Sequence, residues 1–397
     1  MKKIDTLYKY LATTRRFDGS HDVHTPRALV EEILDHIDLV DRSILVLFNV
    51  EFVVSLVYNS HIDPARIVFY SDHENKSLLV SRIGVKYITT LDTDMKFDVV
   101  VGNPPYQDST NDSSYTNLWS KIYKNSFQLL TVAGQMAMIT PRTWATPKQE
   151  GRESQTTEVQ NLIANHAIYI NIDECARHFP KVGSTFTYYI ISKKSTKGQS
   201  VRIRTLTSDL VIDNLPTIIN CLPKNISEYS VEIFRKILSV PMFKKEKGTT
   251  PSGNMIHDRN RTDINKEQYQ YRVQYSAGTV KWSDTLNKLQ YNKKVLFPNQ
   301  TTRNYPIYDT GTSSPPNRGA VFLVNSDEEG YNFVNFVKSK IMQFIIGEQR
   351  FHHGVLNTNV ISNIPKVDLT RTWTDEELYA HFNLTAEEIA YIESSVK

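Results

Sequence analysis

The hydrophobic and polar positions in the first half of the chain follow two different periods. Apolar residues recur at helical spacing across residues 26–39 and are interleaved with acidic ones, which predicts an amphipathic helix. Several other segments are short and almost continuously apolar, as is typical of parallel strands that are covered on both faces. Strands are therefore predicted at 43–48, 66–70, 97–101, 135–139, 168–172 and 185–191.

The spacing of these strands predicts the fold class. The segments between the early strands, such as 51–58 and 75–83, are long enough for crossover helices. Strands that alternate with helices indicate an α/β protein with a Rossmann-like, doubly wound sheet. We expect this first domain to comprise residues 1–215.

The pattern changes in the second half of the chain. Short irregular segments rich in Asn, Thr, Tyr and Lys follow residue 215, and the stretch 309–316 predicts a loop. Helices are predicted at 331–346 and 374–396, and the second of these contains two helix start signals. Because 397 residues exceed a single core of roughly 250–300, we expect a second, mixed α+β domain at 216–397.

The net charge is only +3, but the charges are unevenly distributed along the chain. Between Ser230 and Thr310, 14 Lys and Arg stand against 7 Asp and Glu, so the remainder of the chain is net negative. A basic segment of this kind indicates a polyanionic partner, and the pairs Lys244–Lys245 and Lys293–Lys294 are predicted to contact phosphates. Aromatic residues are interleaved with these cations: Tyr269, Tyr271, Tyr275, Trp282, Tyr291 and Tyr305. The alternative is a solvated loop surface over a small local core.

The composition favours a cytoplasmic protein without membrane contact. No apolar run reaches the roughly 18 residues of a transmembrane helix, and the polar N-terminal segment lacks a signal-peptide core. The two cysteines, Cys175 and Cys221, allow one disulfide but do not require an oxidising compartment.

The predicted strand at 97–101 runs directly into Gly102-Asn103-Pro104-Pro105-Tyr106. By chance, Asn-Pro-Pro-Tyr should occur in on the order of one chain of this length per thousand. It also lies at the strand end where open α/β sheets bind ligands. The structural alternative is a proline-rich turn that ends a strand.

These residue types suit methyl transfer to an exocyclic amine. The amine of adenine is a poor nucleophile because its lone pair is delocalised into the ring, and two acceptors aimed at its N–H bonds favour a more nucleophilic nitrogen. The amide oxygen of Asn103 and the carbonyl of Pro104 can supply those acceptors. Pro104 and Pro105 restrict the backbone and preorganise that carbonyl, while Tyr106 offers an aromatic face to the base.

Gly-Asn-Pro-Pro-Tyr after a strand resembles the catalytic signature of adenine-N6 DNA methyltransferases, and the order of motifs resembles the γ class found in type II restriction–modification systems and phages. The resemblance implies S-adenosylmethionine as cofactor, no metal, and an adenine flipped out of double-stranded DNA. It implies that residues 216–397 form the target-recognition domain. It leaves open a separate cognate restriction endonuclease, and whether the protein is a monomer or a dimer.

The resemblance also implies cofactor-binding residues. His24-Thr25-Pro26 matches the family's Thr-Pro element, which contacts the methionine carboxylate at a helix N-terminus. The alternative for Thr25 is an N-cap, with Pro26 as the first helical residue. Asp72 matches an acid for the ribose hydroxyls and Asp92 an acid for the cofactor amine, and each can equally be a cap or turn residue.

Two further segments bear on the site. His178-Phe179-Pro180 is similar to the family's late motif, in which an aromatic residue stacks on the flipped base opposite the tyrosine; Phe179 is the match, with a core position as the alternative. The first strand ends in Leu47-Phe48-Asn49, without the glycines of the family's cofactor loop. We therefore expect Phe48 and Asn49 to line the cofactor pocket with their side chains.

Two other functions remain compatible with the sequence. Protein glutamine methyltransferases also use Asn-Pro-Pro-Tyr, although the basic second half and the position of the Thr-Pro element argue against this class. A degenerate methyltransferase that binds DNA but not the cofactor is kept open by the missing glycine loop.

Overall fold

The structure is a computed structural model that describes most of the chain. The described residues are 7, 24–71, 74–106, 118–145, 155–172, 175–179, 186–219, 222–246, 248–249, 251–252, 261–262, 269–276, 279–297, 306–315, 320–349, 361 and 363–396. The chain divides into two compact units, unit 1 with Met1–Ala145 and Arg152–Asn220, and unit 2 with Thr146–Gly151 and Cys221–Lys397.

Unit 1 is built on one large sheet. Its strands are β1 Ile44–Leu47, β2 Ile67–Tyr70, β3 Lys86–Ile88, β4 Phe97–Gly102, β5 Leu130–Pro141, β6 Ala167–Ile172, β7 Phe186–Ser192, β8 Val201–Arg204 and β9 Asp209–Ile212. They lie in the order β3-β2-β1-β4-β5-β7-β6-β8-β9. The strands from β3 to β5 are mutually parallel, whereas β7 runs antiparallel to both β5 and β6.

The helices of unit 1 connect these strands. They are α1 Arg27–Leu34, α2 Val50–Tyr58, α3 Glu74–Ser81, α4 Leu118–Gln128, α5 Gln155–His166 and α6 Cys175–His178. Helix α1 buries Leu29, Val30, Ile33 and Leu34, as its apolar periodicity predicts. Every residue of β1 is buried, which agrees with a central strand covered on both faces. The predicted doubly wound α/β fold is confirmed.

The described residues of unit 2 form two small sheets. Strands β10 Arg261–Thr262, β11 Tyr271–Ser276 and β12 Thr279–Ser283 form one in the order β10-β12-β11, and strands β13 Lys294–Phe297, β14 Ile307–Asp309 and β15 Ala320–Leu323 form the other in the order β14-β13-β15. Its helices are α7 Glu228–Leu238, α8 Asp327–Lys338, α9 Lys340–Glu348, α10 Asp375–His381 and α11 Ala386–Ser395.

The predicted helices of unit 2 are both divided. The one expected at 331–346 is interrupted at Ser339, whose extended backbone caps the end of α8 and the start of α9. The one expected at 374–396 becomes α10 and α11, which begin with capping boxes at Thr374 and Thr385. The mixed α+β character is as predicted. None of the helices in the described part of the chain combines the length and apolarity needed to cross a bilayer.

Candidate active site

The candidate site lies where β1 and β4 end side by side. Strand β1 has β2 on one side and β4 on the other, so its carboxyl end is the switch point at which open α/β sheets bind ligands. Leu47 pairs with Gly102, and a Cβ on Gly102 would lie 2.6 Å from the Leu47 carbonyl oxygen. Only glycine fits this close approach, which brings the loops after both strands together.

Asn103 is held through its backbone N–H and through both ends of its side-chain amide. It is 3% exposed, and its backbone N–H donates to Asn49 Oδ1 at 2.8 Å. Its Nδ2 donates to Thr25 Oγ1 at 3.3 Å, while its Oδ1 accepts from the Tyr106 hydroxyl at 2.5 Å. These partners fix the orientation of the amide, with the oxygen towards Tyr106 and the nitrogen towards Thr25.

Tyr106 belongs to a group of three aromatic side chains. Its ring stacks on Phe186 with centroids 5.2 Å apart, and Phe186 meets Phe179 edge-on at 5.5 Å. Phe179 is 8% exposed and lies in the hydrophobic core cluster of unit 1. Burial raises the pKa of Tyr106 well above its usual range, so its hydroxyl stays protonated and donates to Asn103.

Phe186 is not among the site residues that the sequence predicts. It is the first residue of β7, which pairs with the end of β5 at Pro141. Because β7 runs against the parallel strands, its first residue lies at the edge where they end. The only signal in the sequence is an aromatic residue at the start of the strand that follows the late motif.

The loop after β1 makes a tight turn at Phe48. Phe48 has a φ of 66°, and the N–H of Asn49 donates to the Leu47 carbonyl at 2.8 Å. The N–H of Phe48 donates to the Tyr70 carbonyl at 2.9 Å, and the buried Lys76 ammonium donates to the Phe48 carbonyl at 2.9 Å. A non-glycine residue in this conformation costs about 1–3 kcal/mol and persists only where its surroundings impose it.

The Thr-Pro element lies beside this turn. Thr25 is fully buried, and its hydroxyl accepts from Asn103 rather than capping a helix; Pro26 is the N-cap of α1, without a side-chain cap. His24 Nδ1 lies 2.5 Å from Oε1 of Glu51, a buried carboxylate in the first turn of α2. The sequence does not predict Glu51 as a site residue, because it lies among the buried apolar residues of α2, where an acid is rarely found.

Asp72 and Asp92 are the two acids predicted to bind the cofactor. Asp72 lies outside the described residues. Asp92 is exposed between β3 and β4, and its Oδ1 accepts from the N–H of Asp94 at 3.0 Å. This hydrogen bond is that of an Asx-type turn.

A second, partly buried polar network surrounds Glu32 of α1. The Tyr188 hydroxyl donates to Glu32 Oε1 at 2.6 Å, and Asn171 Nδ2 donates to the same oxygen at 3.1 Å. His178 Nε2 lies 3.9 Å from Glu32 Oε2. The network thereby links the helix after the Thr-Pro element to β6, β7 and the residue before Phe179.

The basic segment of unit 2 is only partly at the surface. Lys244 has a side chain that is 88% exposed, and Lys293 is 42% exposed with its ammonium 2.8 Å from Asp327. The prediction that Lys294 contacts phosphate is wrong, because Lys294 is fully buried and donates to Asp309 Oδ1 at 2.9 Å. Its position as the first residue of β13 directs the side chain inward, away from Lys293.

The aromatic residues of this segment are also divided. Tyr291 is 74% exposed, whereas Tyr269, Tyr271 and Trp282 are half-buried, as in a small local core. Tyr305 lies outside the described residues.

Residues 59–176 match the family model described as Eco57I restriction-modification methylase. This match includes Asn-Pro-Pro-Tyr and confirms the resemblance to restriction–modification methyltransferases that the sequence predicts. No curated protein matches the chain.

Several solved structures are similar to the chain at low identity. A modification subunit of a putative type I restriction enzyme from Vibrio vulnificus YJ016 has a TM-score of 0.40 and 12% identity, over 52% of this chain and 52% of that one. The type IIG restriction endonuclease BpuSI has a TM-score of 0.44 and 12% identity, over 98% of this chain and 66% of that one. A type I methyltransferase subunit from Streptococcus thermophilus has a TM-score of 0.37 and 13% identity, over 50% and 52%. The chain spans about half the length of the first of these structures.

Proposed function

We propose that the protein is an S-adenosylmethionine-dependent DNA methyltransferase that modifies the N6 amine of an adenine extruded from double-stranded DNA. The observation that carries the proposal is the buried amide of Asn103, fixed at the switch point of the sheet by Asn49, Thr25 and Tyr106. The match to the restriction-modification methylase model at residues 59–176 includes Asn103 and Tyr106.

The proposed role of Asn103 is to accept one N–H of the target amine through Oδ1, while the Pro104 carbonyl accepts the other. Thr25 accepts from Nδ2, which keeps the oxygen and not the nitrogen of the amide directed towards Tyr106. An acceptor that is oriented before the substrate arrives needs no reorganisation during the reaction, and this is the main source of its catalytic value.

Tyr106 is proposed to stack on the adenine. Its hydroxyl is protonated and donates to Asn103 Oδ1, the oxygen that the amine requires. A carbonyl oxygen has two lone pairs, so it can accept from both, but the two donors must approach from different directions. Phe186 supports the tyrosine ring from one side. Phe179 meets Phe186 edge-on, and its stacking on the face of the base opposite Tyr106 stays a prediction.

The residues around the turn at Phe48 fit the proposed cofactor. When bound, S-adenosylmethionine supplies an electrophilic methyl group. The amino-acid part of that molecule is a zwitterion, which needs one acceptor and one donor. The buried Glu51 and the half-buried His24 provide a carboxylate and an imidazole side by side. We therefore assign these two residues, together with Phe48, to hold the cofactor.

Unit 2 is proposed to read the DNA target, with residues 216–397 as the recognition domain. The support is its surplus of cations, of which Lys244 and Lys293 are exposed, and the exposed aromatic ring of Tyr291. Cations contact phosphates irrespective of sequence, whereas aromatic and amide groups can contact bases.

The proposal is tested by replacing Asn103 with Ala. We expect methylation of duplex DNA in a single turnover to fall at least about 100-fold, as when a preorganised hydrogen-bonding partner is removed from other active sites. DNA affinity should be nearly unchanged, because Asn103 is buried and is assigned to the amine. Retained activity in Asn103→Ala would contradict the proposed mechanism.

A further inference from the structure

The loop after β1 contains a conformation that the proposed chemistry does not explain. Phe48 adopts a left-handed φ of 66° although it carries a bulky side chain, and such a residue is a genuine outlier. Three contacts hold it there. Its N–H donates to the Tyr70 carbonyl, its carbonyl accepts from the Lys76 ammonium, and its ring meets the Tyr70 ring edge-on with centroids 5.2 Å apart. Because the surrounding residues impose this strained conformation, we infer that it positions a neighbouring side chain.

The effect of the turn is to aim the side chain of Asn49. Asn49 occupies the N-cap of α2, where an Asn side chain ordinarily accepts from the first backbone N–H groups of the helix. Here it makes no such cap bond, and its Oδ1 instead accepts from the backbone N–H of Asn103. Asn49 is 2% exposed, so this hydrogen bond is made without competition from water.

The contact with Gly102 makes this arrangement possible. Because the Gly102 backbone lies directly against Leu47, the residues that follow β1 and β4 are within reach of a single carboxamide. Without an acceptor from the β1 loop, the N–H of Asn103 would be buried and unpaired at the point where the strand turns into the two prolines. The adjacent Pro104 restricts how that segment can adjust.

We propose that Asn49 is a positioning residue for Asn103. The loop after β1 has no glycine whose backbone could approach the cofactor. It instead uses the Asn49 side chain to fix the backbone of Asn103, the residue proposed to hold the target amine. This inference rests on the proposed function. It differs from the expectation that Asn49 lines the cofactor pocket, because the acceptor oxygen of Asn49 is directed at Asn103.

The test compares Asn49→Leu with Asn49→Asp in the full chain. Leu keeps the branched shape of Asn, with a larger volume, but removes the acceptor, whereas Asp keeps an oxygen at the same position and suits the N-terminus of α2. We expect the single-turnover methylation rate at saturating S-adenosylmethionine and DNA to fall about 10- to 100-fold in Asn49→Leu, since a buried donor is left unpaired. Asn49→Asp should stay within about threefold of the wild type.

Two binding measurements separate positioning from the other roles of Asn49. Calorimetric titration with S-adenosylmethionine and fluorescence titration with duplex DNA should give dissociation constants for Asn49→Leu close to those of the wild type. A lower affinity for S-adenosylmethionine together with a wild-type rate at saturation would identify Asn49 as a cofactor ligand and overturn the inference. Equal loss of rate in both variants would overturn it as well, because the acceptor would not be what matters.

Folding and the proposed function are controlled separately. Urea unfolding of both variants shows the fraction that is native, and rates are compared per native molecule. If Asn103→Ala methylates DNA like the wild type, the proposed function fails. If Asn103→Ala is inactive and Asn49→Leu has the wild-type rate, only the positioning role fails.

Discussion

The catalytic proposal depends on one amide whose oxygen already has a partner. The Tyr106 hydroxyl donates to Asn103 Oδ1 and the Tyr106 ring lies on Phe186, so this tyrosine contacts the acceptor as well as the stacking surface. The hydroxyl and the ring can therefore be separated by mutation. In the proposed mechanism the ring holds the base, whereas the hydroxyl shares an oxygen with the target amine.

Tyr106→Phe and Tyr106→Ala should differ for that reason. The Phe variant keeps the ring, and Thr25 still orients the Asn103 amide through Nδ2, so it should methylate DNA at close to the wild-type rate. The Ala variant should lose base stacking worth about 1–3 kcal/mol. Binding and fluorescence of a duplex with 2-aminopurine at the target position would measure the hold on the extruded base. If both variants lose the same amount, the hydroxyl and not the ring is the group that acts.

At the scale of elements, the fold of unit 1 could be predicted where strands are buried. Strands β1, β2 and β4 were found because their residues are almost continuously apolar. The edge strands β3 and β9 were not found, since most of their side chains are partly or fully exposed and show no such run. Short edge strands with polar residues carry little hydrophobic signal.

The contacts within the site were less predictable than its residues. Asn103, Tyr106 and Thr25 were identified from motifs, but the Asn49–Asn103 hydrogen bond depends on strand order, which local patterns do not contain. The position of Phe186 in the site follows from the antiparallel direction of β7, which the sequence pattern does not show. The left-handed turn at Phe48 is opposed by the preference of its own residue type and is imposed by Tyr70 and Lys76, so only the tertiary structure reveals it.

The buried Lys294–Asp309 pair organises the loops around β13 in unit 2. The Lys294 ammonium donates to the carbonyls of Gln290 and Asn292 as well as to Asp309. Asp309 in turn accepts from the N–H groups of Gly311, Thr312 and Ser313. The pair therefore has a structural role, and Lys294 is not available to DNA.

Lys294→Met should lower the free energy of unfolding by about 3–5 kcal/mol, because it leaves the buried Asp309 carboxylate without its counter-ion. The neighbouring Lys293→Met is the matched control: its ion pair is at the surface and contributes about 0–1 kcal/mol. Urea unfolding of the two variants measures the difference. Equal effects would mean that the buried pair contributes no more than a surface one.

Acidification should weaken the same element. Burial raises the pKa of Asp309, but the ion pair with Lys294 and the backbone donors outweigh burial and hold the pKa below its usual range. A carboxyl with a lowered pKa contributes stability above its unfolded value of about 3.9, and that stability is lost as the pH falls through the folded pKa. Asp309→Asn should therefore show a smaller loss of unfolding free energy in acid than the wild type does.

At the scale of the whole molecule, the two units differ in charge and in proposed task. Unit 1 contains every residue assigned to chemistry, and the basic segment belongs to unit 2. Several of its cations are engaged in ion pairs within unit 2, such as Lys236 with Glu388 at 2.7 Å. The number of cations available to phosphates is therefore smaller than the sequence count suggests. Lys244 and Lys293 are the exposed members of the two predicted lysine pairs, and each also has an acidic neighbour, Glu246 and Asp327.

Neutralising both lysines, as Lys244→Gln with Lys293→Gln, should weaken binding to cognate and random duplexes alike. The slope of log affinity against log salt should become shallower by about one to two, since each phosphate contact contributes about 0.9. The exposed Lys86 and Lys197 of unit 1 give a matched control pair. An unchanged slope for the first pair would assign these lysines to a solvated face.

The central claim is that the methyl group is transferred to the N6 amine of adenine in DNA. The most direct measurement incubates the wild-type protein with isotopically labelled S-adenosylmethionine and either duplex DNA or protein substrates, and identifies the labelled product by mass spectrometry after digestion to nucleosides or peptides. The account predicts label in N6-methyl-2′-deoxyadenosine from duplex DNA, and none from DNA treated with Asn103→Ala. Label in a methylated cytosine or in a glutamine side chain, or no label in any product, would contradict it.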